Sequence, residues 1–301
     1  MKMRNILQWL LNISIALSNN IDPIIMSWLS KTTMEIRLQD NSTSLLYLKS
    51  VNDCLFSGKL NDDPASVVTV IGCMDDGDTT VSIASALVPD GLVDLMIING
   101  STSVLQDDQD QVSRERKKRS ASFDQNDALR PPPGVLQEAS SNFIGSRSWR
   151  YRALPKAVNL KTIIWYDQSL LKKFNGDHYK TKLWISRVVE LAKPRLAHHS
   201  LKVRINLLVE DIKESKLRLK ATKSNIRMLT KNGNKNDNKD RLNSYFCYDL
   251  GKGSVGIAWI GTACDKNGWA VNINEYYTVT NSELNSAKTF VHEIGHNIGM
   301  E

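Results

Sequence analysis

Between residues 34 and 98 the chain alternates short apolar, β-branched runs with turn residues. The runs are Met34–Leu38, Leu45–Val51, Ser66–Ile71, Thr79–Ala86 and Leu92–Ile98, and together they predict a small β-rich domain. After residue 157 the pattern changes. Residues 158–167 read as a buried strand, and Lys180–Arg195 reads as a helix with Leu183, Val188, Leu191 and Ala192 on its apolar side and Pro194 near its end. Val203–Val209 reads as a second strand, residues 213–241 as a polar, solvated loop, and Gly256–Cys264 as a strand punctuated by glycine. A last helix begins at Asn281 or Ser282, either of which suits an N-cap. Its Leu284, Ala287, Val291, Ile294 and Ile298 recur at mostly three- and four-residue steps. Strand, helix, strand, loop, strand, helix is an α/β order.

Charge divides the chain as well, at the basic run that ends at Arg119. The net charge is +7 overall; residues 1–119 carry 11 Lys+Arg against 15 Asp+Glu, and residues 120–301 carry 28 against 17. Opposite signs favour association of the halves. The lysines of the basic half gather around Asn232–Lys239 without interleaved aromatics, which argues against a nucleic-acid partner. At the junction stands Arg114-Glu115-Arg116-Lys117-Lys118-Arg119-Ser120. Such a run is either a solvated basic patch or nuclear address, or an exposed site for a processing protease with an acidic cleft.

The last helix carries the chemistry. His292 and His296 are four residues apart, so both imidazoles project from one helix face and can reach one metal ion about 2.0–2.1 Å from each nitrogen. Glu293 falls beside that ion, where a carboxylate can take a proton from the attacking water and return it to a leaving amine. Gly299, three residues after His296, can end the helix in a left-handed turn. This set of residues predicts Zn²⁺-dependent hydrolysis of a protein or peptide substrate.

His292-Glu293-Ile294-Gly295-His296-Asn297-Ile298-Gly299-Met300 resembles the active-site run of the reprolysin (adamalysin) branch of the metzincins, which includes the ADAM and ADAMTS proteases. The resemblance implies a metzincin-like upper subdomain: a mixed twisted sheet with helices, the zinc helix at its C-terminus, preceded by a small β-rich prodomain. It implies that Gly256, Ala258 and Gly261 lie on an edge strand that pairs with an extended substrate. It also implies a third metal ligand immediately after Glu301, and therefore weak zinc binding and little proteolysis by the chain as written. Lys161 stands where the family has a calcium-binding glutamate, which argues against calcium.

Residues 53–60, 63–73 and 91–93 are similar to the family's prodomain, and no cysteine-switch segment is recognisable. The layout implied is a prodomain over 19–119 acting as an intramolecular inhibitor, a linker over 120–156 and a catalytic domain over 157–301. Given that layout, Arg116, Lys117, Lys118 and Arg119 read as the site of a furin-type convertase.

Four cysteines, divided two and two by the basic run, suit one bridge in each half or buried thiols. Cys54 and Cys73 form one candidate pair, and Cys247 and Cys264 flank the glycine-punctuated strand as another. The family bonds the residue matching Cys264 to a later one, so its partner can equally lie elsewhere. Residues 1–18 read as a signal peptide with an apolar run weakened by Gln8 and Asn12, or as a misassigned first exon. With sequons at Asn41 and Asn99 this points to a secreted protein, membrane-anchored if the gene product continues into a span. His178, His198 and His199 read as exposed residues near helix ends. Two alternatives remain: a non-catalytic secreted binding or adhesion protein on a protease scaffold, and an intracellular basic protein addressed by 114–119.

Overall fold

The computed structural model describes residues 24–30, 33–37, 43–52, 54–60, 63–72, 82–88, 91–98, 101–104, 128–132, 156–198, 201, 203–233, 241–248, 255–263, 265, 267–276 and 282–300. The chain forms two compact units, Met1–Asp108 with Lys193–Leu201, and Gln109–Ala192 with Lys202–Glu301.

The first unit contains a closed antiparallel barrel: β1 (Ile24–Ser30), β2 (Thr33–Arg37), β3 (Thr43–Asn52), β4 (Leu55–Leu60), β5 (Asp63–Ile71), β6 (Ser82–Val88), β7 (Gly91–Ile98) and β8 (Ser101–Val104). Each strand pairs with the next. Closure comes from β1 against β8 at Ile24↔Thr102 and Ile25↔Ser101, which leaves no open sheet edge. Leu48, Leu55, Val68, Val70 and Ala84 are buried. Cys54 is disulfide-bonded, whereas Cys73, both sequons, the basic run 114–119 and the 1–18 segment lie outside the described residues.

The second unit is built on a six-stranded mixed sheet. Its strands are β9 (Ala128–Leu129), β10 (Ala157–Asp167), β11 (Arg204–Ser215), β12 (Leu242–Cys247), β13 (Gly256–Trp259) and β14 (Val271–Glu275), in spatial order β11-β10-β12-β14-β13-β9. β10 pairs in parallel with β11 and β12, and β12 with β14; β13 alone runs antiparallel to its neighbour β14. Helices α1 (Gln168–Lys173), α2 (His178–Leu196), α3 (Lys223–Gly233) and α4 (Ser282–Asn297) complete it. No helix among the described residues is long and apolar enough to cross a membrane.

Asp167 ends β10 and starts α1. Its Oδ1 accepts from Leu170 N at 2.9 Å as the N-cap, and its Oδ2 accepts from Leu219 N at 2.8 Å. Burial pushes this carboxyl up, while the hydrogen bonds from Leu219, Ser169 and Leu170 pull it down.

The polar stretch 213–241 is not one loop. β11 runs on to Ser215 and α3 follows, because Ile226 and Leu229, three residues apart, give an otherwise charged helix a narrow apolar stripe. That stripe joins Trp259, Val271 and Ile273 in one core cluster, and Thr230 Oγ1 accepts from Trp259 Nε1 at 2.9 Å. α3 therefore braces β13 and β14, the strands that lie under α4.

Candidate metal centre

α4 begins at Ser282, whose hydroxyl bonds the Glu283 carboxylate at 3.0 Å, and buries Leu284, Ala287, Phe290 and Ile294 on the sheet. Its end is a Schellman motif. Met300 N donates to Gly295 O and Gly299 N to His296 O, each at 2.9 Å, with Gly299 at φ +101°. A side chain at Gly299 would be strained in that conformation.

This turn fixes one imidazole. The Met300 carbonyl, carried back by the motif, lies 2.9 Å from His296 Nδ1. A carbonyl only accepts, so Nδ1 carries the hydrogen and Nε2 keeps its lone pair. His296 Nε2 and His292 Nε2 are 3.0 Å apart, their rings crossed at 80°. Two nitrogens sharing a tetrahedral zinc lie about 3.4 Å apart for bonds of about 2.05 Å. The pair fits one ion with a small spreading of the rings. Among the described residues no third His, Cys, Asp or Glu gathers with it.

Glu293 is 1% exposed, so its carboxylate is held in protein rather than in water. Its seat is made by an absent side chain. A Cβ on Gly256 would fall on this carboxylate, 2.6 Å from Cδ and 2.8 Å from Cγ. Gly256→Ala is expected to displace the end of a flexible side chain rather than break the sheet, at about 1–3 kcal/mol in urea denaturation. The same variant should keep its zinc affinity, and an unshifted Glu293 carboxylate in its structure would refute the seat.

The segment containing Gly256, Ala258 and Gly261 runs beside the second half of α4. Gly261 N donates to His296 O at 2.9 Å and Ala263 N to Asn297 O at 2.8 Å, with Gly261 at φ +71°. The structure corrects one expectation about this strand. β13 is not the sheet edge: β9 pairs with its outer side, in parallel, at Ala258↔Ala128 and Trp259↔Leu129. A second correction concerns the cysteines. Cys247 is a buried thiol whose Sγ donates to Asn274 O at 3.7 Å, so no Cys247–Cys264 bridge forms; Cys264 lies outside the described residues. His178 is exposed and its Nδ1 is 2.9 Å from Tyr166 Oη, unconnected with the pair on α4.

Sequence reasoning missed the polar layer beneath α4. Asn297, fully buried, uses Nδ2 to reach Trp259 O at 3.0 Å, Val271 O at 3.1 Å and Thr262 Oγ1 at 3.2 Å, and accepts from Asn272 Nδ2 at 2.8 Å. Asn274 Nδ2 continues the chain to Asn272 Oδ1 at 2.8 Å. Val271-Asn272-Ile273-Asn274 looks like a half-exposed strand by alternation. All four residues are buried, because the asparagines are consumed by α4 and by each other.

The family model Reprolysin_5, metallo-peptidase family M12, matches residues 155–301, the span that holds the sheet from β10 onward and the two histidines. Over these residues the chain is similar to the reprolysin-type metallopeptidases. A curated relative, Snake venom metalloproteinase H5 of Deinagkistrodon acutus, is 25% identical over 150 residues, which is 48% of this chain. The chain spans about a third of that relative's length, 36%. Two solved structures are similar in part. Metalloproteinase-II from Bacteroides fragilis has 13% identity and a TM-score of 0.40, over 97% of this chain and 84% of that one. A chaperone–substrate complex has 14% identity and a TM-score of 0.37, over 72% and 30%.

Proposed function

We propose that the reprolysin-type domain is a zinc-dependent endopeptidase, made as a secreted zymogen, in which His292 and His296 hold the metal and Glu293 is the general base. The observation that carries this reading is the convergence of the two Nε2 atoms at 3.0 Å, with the His296 tautomer set by the Met300 carbonyl. When bound, zinc supplies polarisation of the scissile carbonyl and acidification of water. Glu293 takes the proton from the attacking water and delivers it to the leaving nitrogen. Its seat against Gly256 keeps the carboxylate fixed between these two transfers.

On this reading the barrel-containing half is the prodomain, and Arg116–Arg119 is cut by a furin-type convertase before Ser120. The partners are then a protein or peptide substrate and the convertase, and the compartment is extracellular. The test is a quenched-fluorescence peptide assay on the full-length protein. Hydrolysis should stop with a zinc chelator and return with added zinc, whereas hydrolysis indifferent to chelation would overturn the assignment.

A further inference from the structure

A strand has two edges, and each backbone group along an edge is used once. β14 takes one edge of β13. The other, along Ala258–Ile260, is taken by residues 128–129: Ile260 N donates to Leu129 O at 2.8 Å, and Leu129 packs against the core cluster that contains Trp259 and Leu219. Pro131, two residues on, is also buried. This is the edge on which an extended substrate would be expected to pair, and it is held by the chain itself.

We propose that the Ala128-Leu129-Arg130-Pro131 segment acts as a tethered competitor of extended aliphatic peptides at the outer edge of β13, and that a cut at Arg119 does not release it. The proposal rests on the protease reading given above and adds a regulation of the same site. Ala128 lies nine residues after Arg119, so the segment stays covalently attached to the catalytic half once the barrel has been severed. A covalently attached strand competes at an effective concentration on the order of millimolar, well above a dilute substrate. Opening of β13 then needs a second event: a cut beyond Pro131, or displacement by a peptide that fills the Leu129 position better.

The test is amide hydrogen exchange on the full chain, before and after convertase treatment, in the wild type, Leu129→Asp and Leu129→Gly. A fluorescein-labelled peptide copying residues 126–133 is then titrated into each. The Ile260 amide should be equally protected in cut and uncut wild type and exchange at least tenfold faster in Leu129→Asp. Leu129→Gly should show a smaller rise in the same direction. Gly261 and Ala263, bonded to α4, should stay protected in both variants, which shows that the fold is intact. The labelled peptide should bind the variants saturably and the wild type not at all. Deprotection of Ile260 by the Arg119 cut alone, or equal exchange and equal peptide binding in wild type and both variants, overturns the proposal. These readouts need no hydrolysis, so failure of the protease reading would show separately, as absent zinc binding with the exchange pattern intact.

Discussion

Replacing Glu293 by glutamine in the full-length protein is expected to lower peptide hydrolysis by about 10²–10⁴-fold while leaving zinc bound. Glutamine keeps the length and planarity of the side chain, so it still fits the seat against Gly256. It cannot accept and return a proton at neutral pH. Because the residue is 1% exposed, bulk water does not readily replace it as base at the reacting centre. The check is kcat measured beside metal content on the same preparation. Loss of rate together with loss of zinc would show that Glu293 acts on the metal rather than on the proton. A rate within twofold of wild type would remove it from the chemistry.

The second large effect is structural. Asn297→Ala removes four hydrogen bonds that tie the end of α4 to Trp259, Thr262, Val271 and Asn272. Each buried group deprived of a partner costs about 1–3 kcal/mol, and the terms do not add fully, so a total of about 3–5 kcal/mol is expected in urea denaturation. The near-isosteric Asn297→Asp should be at least as damaging. Three of the four contacts come from the amide nitrogen, and a carboxylate would point an acceptor at two carbonyl oxygens and at a hydroxyl that already donates to Trp259 O. Both variants should also weaken zinc binding, since His296 is the preceding residue and its carbonyl and ring are held by the same turn. A cost under about 1 kcal/mol for either one would mean that the polar layer does not hold α4.

The two histidines, the glutamate and the glycine that ends their helix were legible because each depends on local spacing alone. Helical periodicity places residues 292 and 296 on one face, and a glycine at 299 suits a left-handed cap whatever surrounds it. The β-rich half was legible as strands for the same reason. Its closure was not, since the pairing of β1 with β8 joins residues about eighty positions apart. α3 was hidden by composition: two buried apolar residues, Ile226 and Leu229, anchor it on the sheet, and most of the rest of the helix is polar or basic. The asparagines of β14 were hidden by burial, because alternation marks polar residues as solvent-facing unless a tertiary partner, here Asn297 of the following helix, uses them. β9 was hidden by length. Two residues carry no periodicity, and only the free side of β13 gives them a place.

On the proposed reading, one zinc ion is held by His292 and His296 together. Zinc titration of the wild type, His292→Ala and His296→Ala, followed by the side-chain nitrogen NMR signals of both histidines, tests it most directly. One ion per chain is expected, with simultaneous shifts of both Nε2 signals and, in either variant, a loss of affinity above about 100-fold, more than a change beyond the metal's own ligands causes. Zinc binding of unchanged affinity in either variant, or a titration that shifts only one histidine, would contradict it.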